Sequence, residues 1–154
     1  MVENPVLSQS SRRILRLAYE EADRFGHDYV GSEHLLIALL EEPSWGALLL
    51  QSQSLRATRA RSAMDFILGR GKKNLPLVSG RQTADTVRVL NGAASLARQS
   101  DNPRVQPEHL LLALTNERET PGAKTLQSFE CNLEALAARL WQHLQETKPA
   151  RRAS

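Results

Sequence analysis

The chain holds a single cysteine, few aromatic residues (5%) and no long apolar run. With only Cys131, no internal disulfide can form, so a reducing, cytoplasmic setting is expected. No stretch is long enough to span a bilayer, and no N-terminal segment resembles a signal peptide. β-Branched residues are sparse as well, which argues against a sheet-built core. Catalytic constellations are also missing. The four histidines, His27, His34, His109 and His143, show no HExxH spacing, and no paired-Cys metal site or Ser-His-Asp elbow can be assembled. "GRGKKNLPLVSGRQ" contains Gly-Lys but lacks the spaced glycine and the following Ser or Thr of a phosphate-binding loop. No enzyme, metal or cofactor is therefore expected.

What remains is rich in Ala and Leu, both strong helix formers, within an apolar fraction of 41%. This composition predicts an all-α protein. A formal net charge of +3 comes from 20 Lys and Arg against 17 Asp and Glu. Part of the excess lies in Arg70, Lys72, Lys73 and Arg81 and in Arg151 and Arg152, which read as a solvated linker and tail rather than a nucleic-acid surface. No helix carries a basic recognition stripe, so a small helical nucleic-acid binder is the reading from another class that the sequence disfavours.

"GSEHLLIALL" and "QPEHLLLALT" stand 75 residues apart. The same shift places Arg13 on Arg88, Ala18 on Ala93, Ala22 on Ala97 and Val30 on Val105. It places Glu33, His34, Leu35 and Leu36 on Glu108, His109, Leu110 and Leu111. An internal duplication accounts for this. Each copy reads as four helices. The first copy's lie near 8–25, 32–41, 44–52 and 55–68, with Ser8 as an N-cap and Gly26 as a stop. The second copy's lie near 83–100, 107–116, 121–129 and 133–145. Two four-helix repeats with pseudo-twofold symmetry are expected: 6–69 and 83–146, joined by a linker 70–82 and followed by a tail 147–154.

His34 and His109 read as helix-start histidines bonded to nearby loops, and Trp45, Trp141 and Cys131 as packing residues. Glu33 and Glu108 sit in a first helical turn, where a carboxylate is favoured and is expected to be exposed. Ser8 and Thr83 each put a hydroxyl beside the free N–H groups of a helix start, an anion site. Pairing Ser8 with Glu33, and Thr83 with Glu108, would suit a ligand carrying phosphate and guanidinium together.

"RFGHDYVGSEHLLIALL" resembles the "LGHNYVGTEHLLLGLL" signature of Clp N-terminal repeats, which open the ClpC, ClpA and ClpB AAA+ unfoldases. The resemblance spans about residues 6–146, duplication included. It implies a non-catalytic docking domain that receives substrate or adaptor proteins for the Clp ATPase and protease. In ClpC-type members it also implies phosphoarginine binding at two sites. There a Glu holds the guanidinium and a hydroxyl at the first helix start helps hold the phosphate. These positions fall on Glu33 with Ser8 and on Glu108 with Thr83. The second copy lacks the Gly-His and Gly-Thr elements. The resemblance fits a part of a larger unfoldase or a stand-alone N-domain protein, including an accessory subunit that binds the Clp protease ring. Lacking a phosphate-binding loop, the chain is expected to give no binding heat in a calorimetric titration with ATP.

Overall fold

The computed structural model describes residues 4–68 and 77–149. Arg70, Lys72, Lys73, Arg151 and Arg152, with the linker as far as residue 76, lie outside the described residues.

The first repeat begins with a short strand β1 (Val6–Leu7) and helix α1 (Gln9–Arg24). Ser8 caps α1 by accepting the Ser11 N–H at 3.1 Å. Ile14, Ala18 and Ala22 recur at helical spacing on its buried face. The chain leaves α1 through Gly26 at φ +72°, a left-handed turn that returns the His27 N–H to the Ala22 carbonyl at 2.9 Å. Helix α2 (Ser32–Glu41) is buried on nearly every side, from Ser32 through Leu40. A helix with no wet face must be central, and α2 packs against α1, α3 (Trp45–Ser52), α4 (Ala57–Leu68) and elements of the other repeat.

The second repeat follows the same order. Strands β2 (Leu77–Ser79) and β3 (Gln82–Thr83) form an antiparallel hairpin that leads into α5 (Ala84–Gln99). Strand β4 (Arg104–Val105), the buried helix α6 (Pro107–Asn116), α7 (Pro121–Ser128) and α8 (Leu133–Glu146) complete it. The fold is all-α, as expected. The strands are additions to the sequence reading: the C-terminal part of the expected irregular linker is the β2–β3 hairpin, turning at Gly80 with φ +55°. Their alternation is too short to register as a periodic signal.

These short ladders bind the repeats together. β1 pairs in parallel with β4, so the Ser8 N–H and the Ser11 hydroxyl both reach the Val105 carbonyl, at 3.0 and 2.6 Å. The mirror arrangement joins the start of α5 to the loop before α2. There the Thr83 N–H and the Thr86 hydroxyl reach the Val30 carbonyl, at 3.2 and 2.8 Å. One apolar cluster runs through both repeats, from Ile14 to Leu144. Cys131 is buried within it, which pushes its thiol pKa up. Trp45 and Trp141 pack against it, with Trp45 stacked on His143 at 3.8 Å between ring centroids.

Leu36 and Leu111, fully buried counterparts on α2 and α6, should each cost about 2–5 kcal/mol when replaced by Ala. With the core and ladders shared, each variant should still unfold in one transition. Chemical denaturation followed by far-UV circular dichroism checks both points, and two separated transitions would contradict the shared core.

Candidate functional site

The two Glu-His pairs sit at the starts of the two central helices. In each, the histidine is a pin. His34 Nδ1 accepts the Gly31 N–H at 2.9 Å, and His109 Nδ1 accepts the Gln106 N–H at 2.8 Å. Each ring therefore carries its proton on Nε2, which faces His27 Nδ1 at 2.8 Å in one repeat and the Ser100 hydroxyl at 2.8 Å in the other. Burial lowers both pKa values, His34 to about 3 and His109 to about 4, so both rings are neutral. The loop-bonded reading of these histidines holds.

The carboxylates are buried, not exposed: Glu33 is 2% and Glu108 7% accessible. The expectation fails because α2 and α6 are enclosed at their N-termini as well as along their sides. The two side chains also differ from each other. Glu108 Oε2 accepts the Gly46 N–H at 2.9 Å and so caps α3 of the other repeat. Glu33 turns back over its own helix start instead. A Cβ placed on Gly31 would fall 1.8 Å from Glu33 Oε1, so only glycine leaves room for the carboxyl group there. The corresponding cap, on the Gly122 N–H of α7, is supplied by the Ser32 hydroxyl at 2.9 Å.

Glu33 Oε1 is buried without a hydrogen-bond partner. It lies 3.4 Å from His34 Nδ1, but that atom is a lone pair already engaged by Gly31, so this contact is no ion pair. Desolvation, reinforced by Asp85, pushes the Glu33 pKa up to about 7. The Tyr29 hydroxyl is a second buried polar atom without a partner, and burial, then Glu33 and Asp28, push its pKa up. Tyr29 stacks on His27 at 4.8 Å. Arg81 straps this loop from outside, donating to the His27 carbonyl at 2.9 Å while paired with Asp23 at 2.8 Å.

Ser8 and Thr83 cap their own helices, as read from the sequence, and each is bonded to the loop before the other repeat's Glu. No hydrogen bond joins Ser8 to Glu33 or Thr83 to Glu108. Ser8 is bonded to Val105, three residues before Glu108, and Thr83 to Val30, three residues before Glu33. Each hydroxyl thus stands beside the loop of the other repeat. Sequence comparison by a shift can match equivalent residues but cannot tell a site within a repeat from one across the dyad. It also missed Tyr29 and Ser32. Both were legible as broken matches, since the shift sets Tyr29 on Arg104 and Ser32 on Pro107.

A sequence profile of the Clp repeat (R) N-terminal domain matches residues 6–129 and, overlapping, 81–154. The chain is 31% identical over 144 residues to the ATP-dependent Clp protease ATP-binding subunit ClpA homolog of Porphyra purpurea, covering 93% of this chain and 17% of that protein. It is 34% identical over 123 residues to the chloroplastic chaperone protein ClpC1 of Oryza sativa subsp. japonica, covering 79% of this chain and 13% of that one. The chain thus spans less than a fifth of the length of these relatives. Its fold is that of the N-terminal domain of the caseinolytic protease associated chaperone ClpD from Arabidopsis thaliana, with a TM-score of 0.74, 21% identity, and coverage of 90% of this chain and 94% of that one. The N-domain of ClpV from Vibrio cholerae superposes with a TM-score of 0.65 at 20% identity, covering 94% of this chain and 88% of that one.

The raised pKa has a consequence for stability. Folded Glu33 titrates near 7 against an ordinary 4.5, so between these values the folded chain holds a proton that the unfolded chain releases. Rising pH then favours unfolding, and the contribution present below pH 4.5 is lost by about pH 7. Glu33→Gln removes this dependence. Its stability relative to wild type should rise with pH across that window, by at most about 1.4 kcal/mol per pH unit, and then level off. Urea denaturation of both chains from pH 4.5 to 8 measures it, and a pH-independent difference would refute the raised pKa.

Proposed function

Since the chain belongs to the Clp repeat (R) N-terminal domain family, we propose that it is a non-catalytic docking module of a Clp unfoldase–protease system. It receives substrate or adaptor proteins in the cytoplasm and passes them to the Clp ATPase. The ligand chemistry proposed is a phosphoarginine mark on those proteins. The observation that carries this is Glu33, a buried carboxyl group with one oxygen unpartnered, next to the loop that is bonded to the start of α5.

The crossed bonds favour a site that Glu33 shares with the start of α5. Glu33 takes the guanidinium through charge-assisted hydrogen bonds. The phosphate is taken at the start of α5, by the first-turn N–H groups that Thr83, which caps the Thr86 N–H, leaves over, with the first-turn Asp85 paired to Arg88. Ser8 stands in the corresponding relation to Glu108, whose carboxylate is already engaged by the Gly46 N–H. Glu33 is 2% accessible, so binding requires side chains around it to move aside. A guanidinium beside Glu33 also relieves the cost of ionising it in a desolvated place.

Calorimetric titration with phosphoarginine tests the reading. Wild type should bind, Glu33→Gln should bind far more weakly, and free arginine or free phosphate should give little heat. Only ionised Glu33 takes the cation, so affinity should rise about tenfold from pH 6 to 8 for a group titrating near 7. The pH response should vanish in Glu33→Gln. No heat with wild type at millimolar ligand would end the phosphoarginine reading.

A further inference from the structure

We infer that the two residues before each Glu, Gly31-Ser32 in one repeat and Gln106-Pro107 in the other, decide whether that Glu is a free ligand group or a structural cap. The chain then carries one ligand carboxyl group, Glu33, and not two. The ligand half of this inference rests on the docking reading above; the capping half does not.

The argument starts from two backbone N–H groups. Gly46 and Gly122 are the second residues of α3 and α7, where no intrahelical carbonyl is available. Both residues are buried against the opposite repeat, so each N–H needs an acceptor from there. The approach is close. A Cβ on Gly122 would lie 2.7 Å from the Ser32 carbonyl, and one on Gly46 would lie 3.3 Å from Glu108 Oε2.

The first residue of α2 is Ser32, and its hydroxyl reaches the Gly122 N–H at 2.9 Å. The demand is met, and Glu33 is released to fold back into the space that Gly31 leaves. The first residue of α6 is Pro107, which has no side-chain acceptor. The next acceptor along is Glu108, which reaches the Gly46 N–H at 2.9 Å. Gln106 stands where Gly31 stands in the other repeat, and a Cβ there is incompatible with a carboxyl group folded back as in Glu33. A carboxylate at a helix N-terminus is also held by the helix dipole. Glu108 is therefore committed twice over, by the missing hydroxyl and by the filled space.

Exchange of these residues tests the rule in both directions. In wild type, the Gly46 amide resonance should follow the ionisation of Glu108 as pH changes, while the Gly122 amide follows no carboxylate. In Gly31→Ala/Ser32→Ala, Glu33 should swing to α7, and the Gly122 amide should acquire a carboxylate titration. In Gln106→Gly/Pro107→Ser, the Gly46 amide should lose its response and Glu108 should be freed. Phosphoarginine titration should give one site per chain in wild type and two in Gln106→Gly/Pro107→Ser. A folded Gly31→Ala/Ser32→Ala chain whose Gly122 amide stays silent would overturn the inference, as would two sites in wild type. If that variant does not fold, Gln106→Gly/Pro107→Ser decides alone. Expected amide responses with no phosphoarginine heat in any chain would uphold the capping rule and refute the ligand reading instead.

Discussion

Each repeat leaves a buried backbone N–H that only the other repeat satisfies. The Gly122 N–H depends on Ser32 and the Gly46 N–H on Glu108. An orphaned buried donor costs about 1–3 kcal/mol, so separating the repeats would expose or orphan both, together with the apolar seam between α2 and α6. The carbonyls of Val30 and Val105 extend the same dependence, each accepting two bonds from the opposite repeat's first helix start. The geometry of both Glu-His elements follows from these crossed bonds.

Much of this was legible in the chain. The helices followed from Leu and Ala periodicity, from the helix-start hydroxyls of Ser8 and Thr83, and from the stop at Gly26. The EHLL duplication announced the repeat, and the helix-start histidines were read as loop-bonded. The exposure of Glu33 and Glu108 was misjudged because first-turn residues are wet on an ordinary surface helix, whereas these helices are central. The crossed bonds of Ser8 to Val105 and of Thr83 to Val30 were not legible, because a duplication is silent about which half packs on which. The two-residue ladders were invisible because alternation needs a longer run to appear.

Glu33 shows how identical letters acquire different chemistry. Both copies read Glu-His-Leu-Leu, yet one carboxyl group reaches a peptide N–H of the opposite repeat and the other turns back over its own helix start beside a neutral imidazole. The second environment disfavours charge, and it raises the pKa to about 7. A group so placed costs stability when ionised. The Tyr29 hydroxyl is also buried with no acceptor.

The crossed placement of Ser8 and Thr83 also bears on inheritance. A duplicated gene segment usually yields two units that can drift apart, one retaining the old role while the other changes. Here the helix start of one segment is bonded to the loop before the carboxylate of the other, so neither segment holds that junction alone. A substitution at one helix start is felt at the opposite half's loop, and a single repeat expressed alone would lack both junctions. The pair, and not the repeat, is the smallest object that holds this arrangement.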